Sequence, residues 1–181
     1  MTAHARRIEI DDDVLVEEER DAEIVVLSPR TAEPDGTEMD ADIAAYWGLW
    51  SEQIGRALVP TLHQLAGTLP NFTSAMICTA DGFNLCTLGV EEQQVSRLSA
   101  MTSSLHSIAD AMSSSVHEGA GDPLDVVSLT NGSSTTVVIA IRHLIIGQLL
   151  LWVTAEDTTL GVMLMRAKVA AAGVRDVLAD E

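Results

Sequence analysis

The stretch "TTVVIAIRHLIIGQLLLWVTA", residues 135–155, constrains the fold more than any other part of this chain. It takes in nearly all of two apolar runs, residues 134–141 and 145–153, in which polar positions scarcely alternate. A strand with one wet face alternates; a strand without alternation is covered on both faces. Helices must therefore lie on both sides of the sheet. Residues 124–130 reach the first run through Asn131-Gly132, a dipeptide that accepts the positive φ of a tight hairpin, so the pairing is antiparallel. A turn near Arg142-His143 separates the last two strands. Arg142, His143 and Gln148 interrupt residues 137–153, so this stretch does not read as a membrane span.

A second hairpin surrounds "ICTADGFNLCTLG", residues 77–89, which holds both cysteines of the chain. A two-residue loop at Asp81-Gly82 sends Cys78 and Cys86 to opposite faces. A three-residue loop over 80–82, with Gly82 in a bulge, puts them on one face as diagonal neighbours. Diagonal positions lie about 7–8 Å apart, whereas a disulfide needs Cβ atoms about 3.5–4.5 Å apart. Neither register permits a bridge. Asp81 is the nearest other ligand type, too little for a zinc site. Both thiols are expected to be reduced packing residues.

Three helical patterns frame these strands. Ile43, Trp47, Trp50, Ile54 and Leu58 share one helix face, with Asp40 or Asp42 as a cap. Pro60 is expected to end that helix and open a second, which carries Leu62, Leu65 and Leu69. The two tryptophans are either core or a partner-binding patch. Residues 91–117 form the longest helix, with Val95, Leu98, Met101, Leu105, Ile108, Met112 and Val116 as its apolar face. After the first turn its remaining surface is Ser, Thr, Ala and Gln, charged only at Arg97 and Asp110. So few charges leave two alternatives: a Ser-rich exposed face, or a second flank that is covered too, by the same helix of a second subunit. His106 and His117 are read as surface residues, and His63 and His143 as surface or packing residues. Thr154 with Asp157 resembles a capping box that opens a last helix, with Leu160, Leu164, Ala167, Ala171, Val174 and Leu178 facing inward.

Charge divides the chain. Residues 1–42 hold 14 acidic and 4 basic side chains, a net of −10; residues 43–181 hold 13 and 6, a net of −7. Self-repulsion and sparse apolar surface make 1–42 an expected disordered acidic tail. Within it "EIVVLSP" is apolar. Ile24, Val25, Val26 and Leu27 are either a chance run or a short strand that adds to a sheet edge. The division expected is a tail at 1–42, an accessory helix at 43–59 and a domain at 60–181. A total charge of −17 argues against nucleic acid and anionic membrane partners. The N-terminus lacks an apolar core of signal-peptide length, and two cysteines fit a reducing cytoplasm.

No Ser/His/Asp set, phosphate-binding glycine loop or metal cluster stands out in the sequence. "GAGDP" precedes a strand rather than joining a strand to a helix, so it is not a nucleotide loop. No catalytic residue, metal or cofactor is expected.

The element order is α-β-β-α-β-β-β-α. With "LHQLAGTLPNFTSAMICTADGFNLCTLG", "VSRLSAMTSSLHSIADAM", "TTVVIAI" and "QLLLWVTAEDTTLGVMLMRAKVAA", the chain resembles the roadblock / dynein light-chain domain over roughly residues 60–179. The bacterial members of that family include the MglB-like regulators of small Ras-like GTPases. The resemblance implies an α/β (α+β) sandwich: a five-stranded antiparallel sheet, the long helix on one face, the N- and C-terminal helices on the other. It also implies a dimer built by the long helix and the strand after it. Ala100, Ser103, Ser104, Ser107 and Ala111, with Val126 and Ser128 of residues 124–130, then become interface candidates.

Function follows as an expectation: a non-enzymatic dimeric regulator or scaffold of a small GTPase, in the cytoplasm. Arg142 is the arginine best placed, near a turn, to act as a finger. The alternative is an adaptor without a GTPase, whose acidic tail and Trp47 and Trp50 recruit a client.

Overall fold

The computed structural model describes residues 45–116 and 124–179, all within one unit of the chain, Ala32–Glu181. Its elements run α1 (Trp47–Thr68), β1 (Phe72–Thr79), β2 (Asn84–Leu88), α2 (Glu92–Val116), β3 (Val126–Asn131), β4 (Ser134–His143), β5 (Gly147–Glu156) and α3 (Leu160–Ala179). The five strands form one antiparallel sheet in the order β2-β1-β5-β4-β3. The fold is the α/β sandwich expected, and the two nearly continuous apolar runs become the long strands β4 and β5.

Strand period explains why those runs scarcely alternate. Val137, Ile139, Ile141, Leu149, Leu151 and Val153 point to one face, where they pack with Ile54, Leu58 and Leu62 of α1 and Met163, Ala167 and Val174 of α3. Val138, Ala140 and Leu150 point to the other, with Met76 and Cys78 of β1, under Leu98 and Leu105 of α2. The first and last helices thus share one face and the long helix takes the other.

Several boundaries differ from the sequence expectation. α1 runs unbroken through Pro60. The proline is exposed, and the carbonyl its missing N–H would have bonded belongs to Arg56, also exposed, where water can satisfy it. One helix therefore carries Ile54 and Leu58 as well as Leu62 and Leu65 into the core. The position before α1 is Tyr46, which makes no side-chain cap; Asp40, Asp42 and Ile43 lie outside the described residues. β5 begins at Gly147, so Leu144, Ile145 and Ile146 form the turn, with Gly147 at φ +79°. Main-chain N–H groups of Ile145 and Ile146 donate to His143 Nδ1 at 3.3 and 3.2 Å, which closes that turn.

The capping box at Thr154 and Asp157 does not form. Thr154 lies inside β5, and its hydroxyl meets that of Thr136 on β4 at 2.8 Å. The strand outran the cap because cross-strand pairing continues to Glu156. In α3, Leu160 is exposed, and Met163 and Ala170 take inward positions alongside Ala167, Ala171, Val174 and Leu178.

Candidate partner-binding surfaces

The β1–β2 hairpin has the three-residue loop Ala80-Asp81-Gly82. Gly82 N–H donates to Thr79 O at 2.9 Å and Thr79 N–H to Phe83 O at 2.9 Å, with Gly82 at φ +86°. Cys78 accordingly faces Asn84. The register then slips, Leu85 is left as a bulge, and Cys86 faces Ile77. The bulge reverses the face of Cys86, so Cys78 joins the core under α2 and Cys86 the core under α1 and α3. Both thiols are free and buried, and burial pushes each up to about 12. They are inert packing groups rather than a redox pair. Among the described residues no cluster of three or more His, Cys, Asp or Glu is placed to hold a metal ion.

The long helix is held to the sheet largely by polar groups. His106 is buried rather than at the surface. Its Nε2 lies 3.2 Å from Leu124 O and 3.3 Å from the Gln148 amide nitrogen: with a proton on Nε2 it donates to Leu124 O, and in the other tautomer it accepts from the Gln148 amide. Asp110 accepts from Leu124 N–H at 3.1 Å. The Ser103 hydroxyl donates to Ala80 O, and that of Ser99 lies 3.2 Å from Met76 Sδ. A histidine beside serines has the pattern of a solvated face; only the β5 residue Gln148 and the approach to β3 give His106 partners. His117 and the "GAGDP" segment lie outside the described residues.

These tethers rotate the helix away from the expected apolar face. Val95, Leu98 and Leu105 are half-buried, whereas Met101, Ile108 and Met112 are 56%, 60% and 66% exposed, and Val116 is exposed beyond them. The apolar sector of α2 is wider than the sheet can cover. Ala100, Ser104, Ser107 and Ala111 are exposed beside this stripe, whereas Ser103 turns inward to Ala80. The strand that follows it, β3, pairs among the described residues only with β4, so its outer edge has no described partner. Val126 is half-buried, Ser128 is exposed, and Leu129 is exposed on the α2 face of the sheet. The +7 and +4 spacing of Met101, Ile108 and Met112 was legible, but it reads the same for a core face as for an interface.

Trp47 is half-buried against the core, its ring 6.4 Å from that of Phe83 in a tilted pair. Trp50 is exposed and lines a shallow recess with Tyr46, Leu49 and Gln53. Arg142 is not in a loop: it is a half-buried residue of β4, opposite Gln148. A strand backbone paired in register cannot swing a side chain out as a mobile loop would. Ile24, Val25, Val26 and Leu27 lie outside the described residues. No described helix is long and apolar enough to cross a membrane.

A sheet with this strand order, covered by two helices on one face and one on the other, is the roadblock/LC7 fold. The roadblock/LC7 domain from Streptomyces avermitilis matches with a TM-score of 0.56 at 21% identity, covering 66% of this chain and 95% of that one. Myxococcus xanthus MglB matches with a TM-score of 0.59 at 12% identity, over 70% of this chain and 90% of that one. An MglB with a tetrameric arrangement matches with a TM-score of 0.58 at 14% identity, over 82% and 98%. At these identities the likeness is one of fold. The sequence itself matches no protein-family model and no curated protein.

Proposed function

We infer that this protein is a non-enzymatic regulator or scaffold of a small Ras-like GTPase, acting in the cytoplasm as a dimer. The observation that carries the reading is the exposed Met101–Ile108–Met112 stripe, together with an edge of β3 that no described strand pairs. An apolar strip and an unpaired strand edge are both surfaces that proteins ordinarily cover. A second copy, related by a two-fold axis, would cover both at once. The shared fold with MglB, one example of which is tetrameric, supports self-association. The GTPase as partner class comes from the resemblance to the MglB-like regulators. Arg142 is not proposed as a finger, and any stimulation would act by reordering the GTPase's own residues.

The test is crosslinked capture from native lysate with the full-length chain, with GTP- or GDP-locked conditions compared. Enrichment of a small GTPase that depends on nucleotide establishes the reading. Its absence, with a client that depends on residues 1–42, establishes the adaptor instead. The exposed recess at Tyr46, Leu49 and Trp50 favours that second reading, since it offers an aromatic docking surface apart from α2.

A further inference from the structure

The residues that α2 buries are all polar: Ser99, Thr102 and His106. His106 is the last of them, and from Ser107 to Val116 no residue of the helix is buried. The C-terminal half of α2 is held at Leu124, two residues before β3. Two side chains of α2, one helical turn apart, reach both polar groups of that residue. Asp110 accepts from Leu124 N–H at 3.1 Å, and His106 Nε2 lies 3.2 Å from Leu124 O. The next residue, Asp125, accepts from Ala140 N–H at 2.9 Å through its carbonyl and ties the same segment to β4.

The same ring nitrogen has a second neighbour of opposite kind. The Gln148 amide nitrogen lies 3.3 Å away, and both residues are buried. Nε2 thus stands between a carbonyl, which asks for a proton on it, and an amide N–H, which asks for a lone pair. A neutral imidazole satisfies one or the other according to its tautomer. With the proton on Nε2, the bond to Leu124 O forms. With the proton on Nδ1, Nε2 accepts from Gln148 and Leu124 O faces a lone pair. The imidazolium has no such choice, because both of its nitrogens donate. Its bond to Leu124 O is charge-assisted, and the Gln148 amide turns its oxygen to the ring.

We propose that His106 is a proton-operated clamp on Leu124: closed in the imidazolium and divided between two arrangements in the neutral ring, it sets how firmly the C-terminal half of α2 holds the entry to β3. The charged groups around it are Asp110 on α2, Asp125 ahead of β3, and Arg142 on β4, opposite Gln148. β1 adds only Cys78, which burial keeps neutral, and Glu156 stands at the far end of β5. Asp81 is exposed at the tip of the β1–β2 hairpin. Ile108 and Met112 lie on the half of α2 that the clamp holds, so mild acid would firm the surface assigned to self-association. That consequence rests on the dimer reading; the clamp itself lies within one copy and does not.

The test uses the full chain, as the parent and with Ile108→Glu and Met112→Glu together, so that failure of the clamp is read apart from failure of the dimer. The His106 ring nitrogens are followed by long-range proton–nitrogen NMR from about pH 8 to about pH 5.5, the range over which imidazoles change charge. Hydrogen exchange at the Leu124 and Ala140 amides is measured alongside, as protection relative to the free-peptide rate at each pH. In both proteins the ring should show two averaged tautomers at the upper end and an imidazolium at the lower. Protection at Leu124 and Ala140 should rise about fivefold, the gain from making one hydrogen bond charge-assisted. Amides of the β1–β5 pairing should not share the rise, and His106→Gln, which cannot take up a proton, should abolish it. A ring that keeps one tautomer or stays neutral throughout overturns the proposal, and this reading needs only the native histidine. So does unchanged protection at Leu124 and Ala140, a rise that the β1–β5 amides share, or one that His106→Gln retains.

Discussion

Gly55 of α1 lies directly against Leu85, the bulged residue of β2: a Cβ added at Gly55 would overlap the Leu85 carbonyl oxygen and stand 3.2 Å from its carbon. The bulge and the glycine belong together. One turns a backbone carbonyl toward the helix, and the other leaves room for it. Gly55→Ala should therefore destabilise the fold although alanine is the better helix former. The helix gain is about 1 kcal/mol, while overpacking against backbone costs about 1–3 kcal/mol. Urea unfolding should show a lower midpoint; a midpoint at or above that of the parent would mean that α1 does not seat on β2 this closely.

Pro60 faces solvent in the middle of α1 and makes no contribution to either core. A proline inside a helix costs about 3 kcal/mol, offset by about 0.4–1 kcal/mol from its stiffening of the unfolded chain. Pro60→Ala should accordingly stabilise the protein, with a higher urea midpoint and an unchanged slope.

The two thiols should be silent in the native protein. Cys78 and Cys86 are pushed up to about 12 from 9.0, so native protein should react with a thiol reagent only as fast as it opens. The sign of the pH effect follows. In the unfolded chain the thiols ionise near 9.0, while the folded chain keeps them neutral. Their burial costs nothing below that pH, and stability falls as pH rises from about 9 toward about 12. Serine at both positions should remove part of this alkaline slope, read by urea unfolding at pH 8 and pH 10.

Ile108 and Met112 are exposed, so Ile108→Glu with Met112→Glu should leave monomer stability within about 1 kcal/mol for the pair. The proposed dimer should dissociate, because a carboxylate opposite its own copy meets like charge without water. Sedimentation equilibrium at several concentrations measures this. An unchanged mass would move the interface away from α2.

What the sequence determined by itself was the fold. Unalternating strands required helices on both faces, and Asp81-Gly82 and the Asn131-Gly132 region marked two of the three hairpins. These are local signals, since residue period and turn chemistry act over a few neighbours. The tertiary structure decided which way the elements face. Cys86 changed cores because of a one-residue bulge at Leu85, and His106 became buried because Gln148 and Leu124 reach it from other elements. Met101, Ile108 and Met112 passed from expected core to open surface because the sheet covers less of α2 than its apolar sector spans. Gly173 met Thr61 only through the packing of two helices separated by the whole sheet in sequence. Periodicity says that a side chain is apolar and on which helix face it lies; whether another element arrives to cover it depends on long-range packing, which no local pattern encodes.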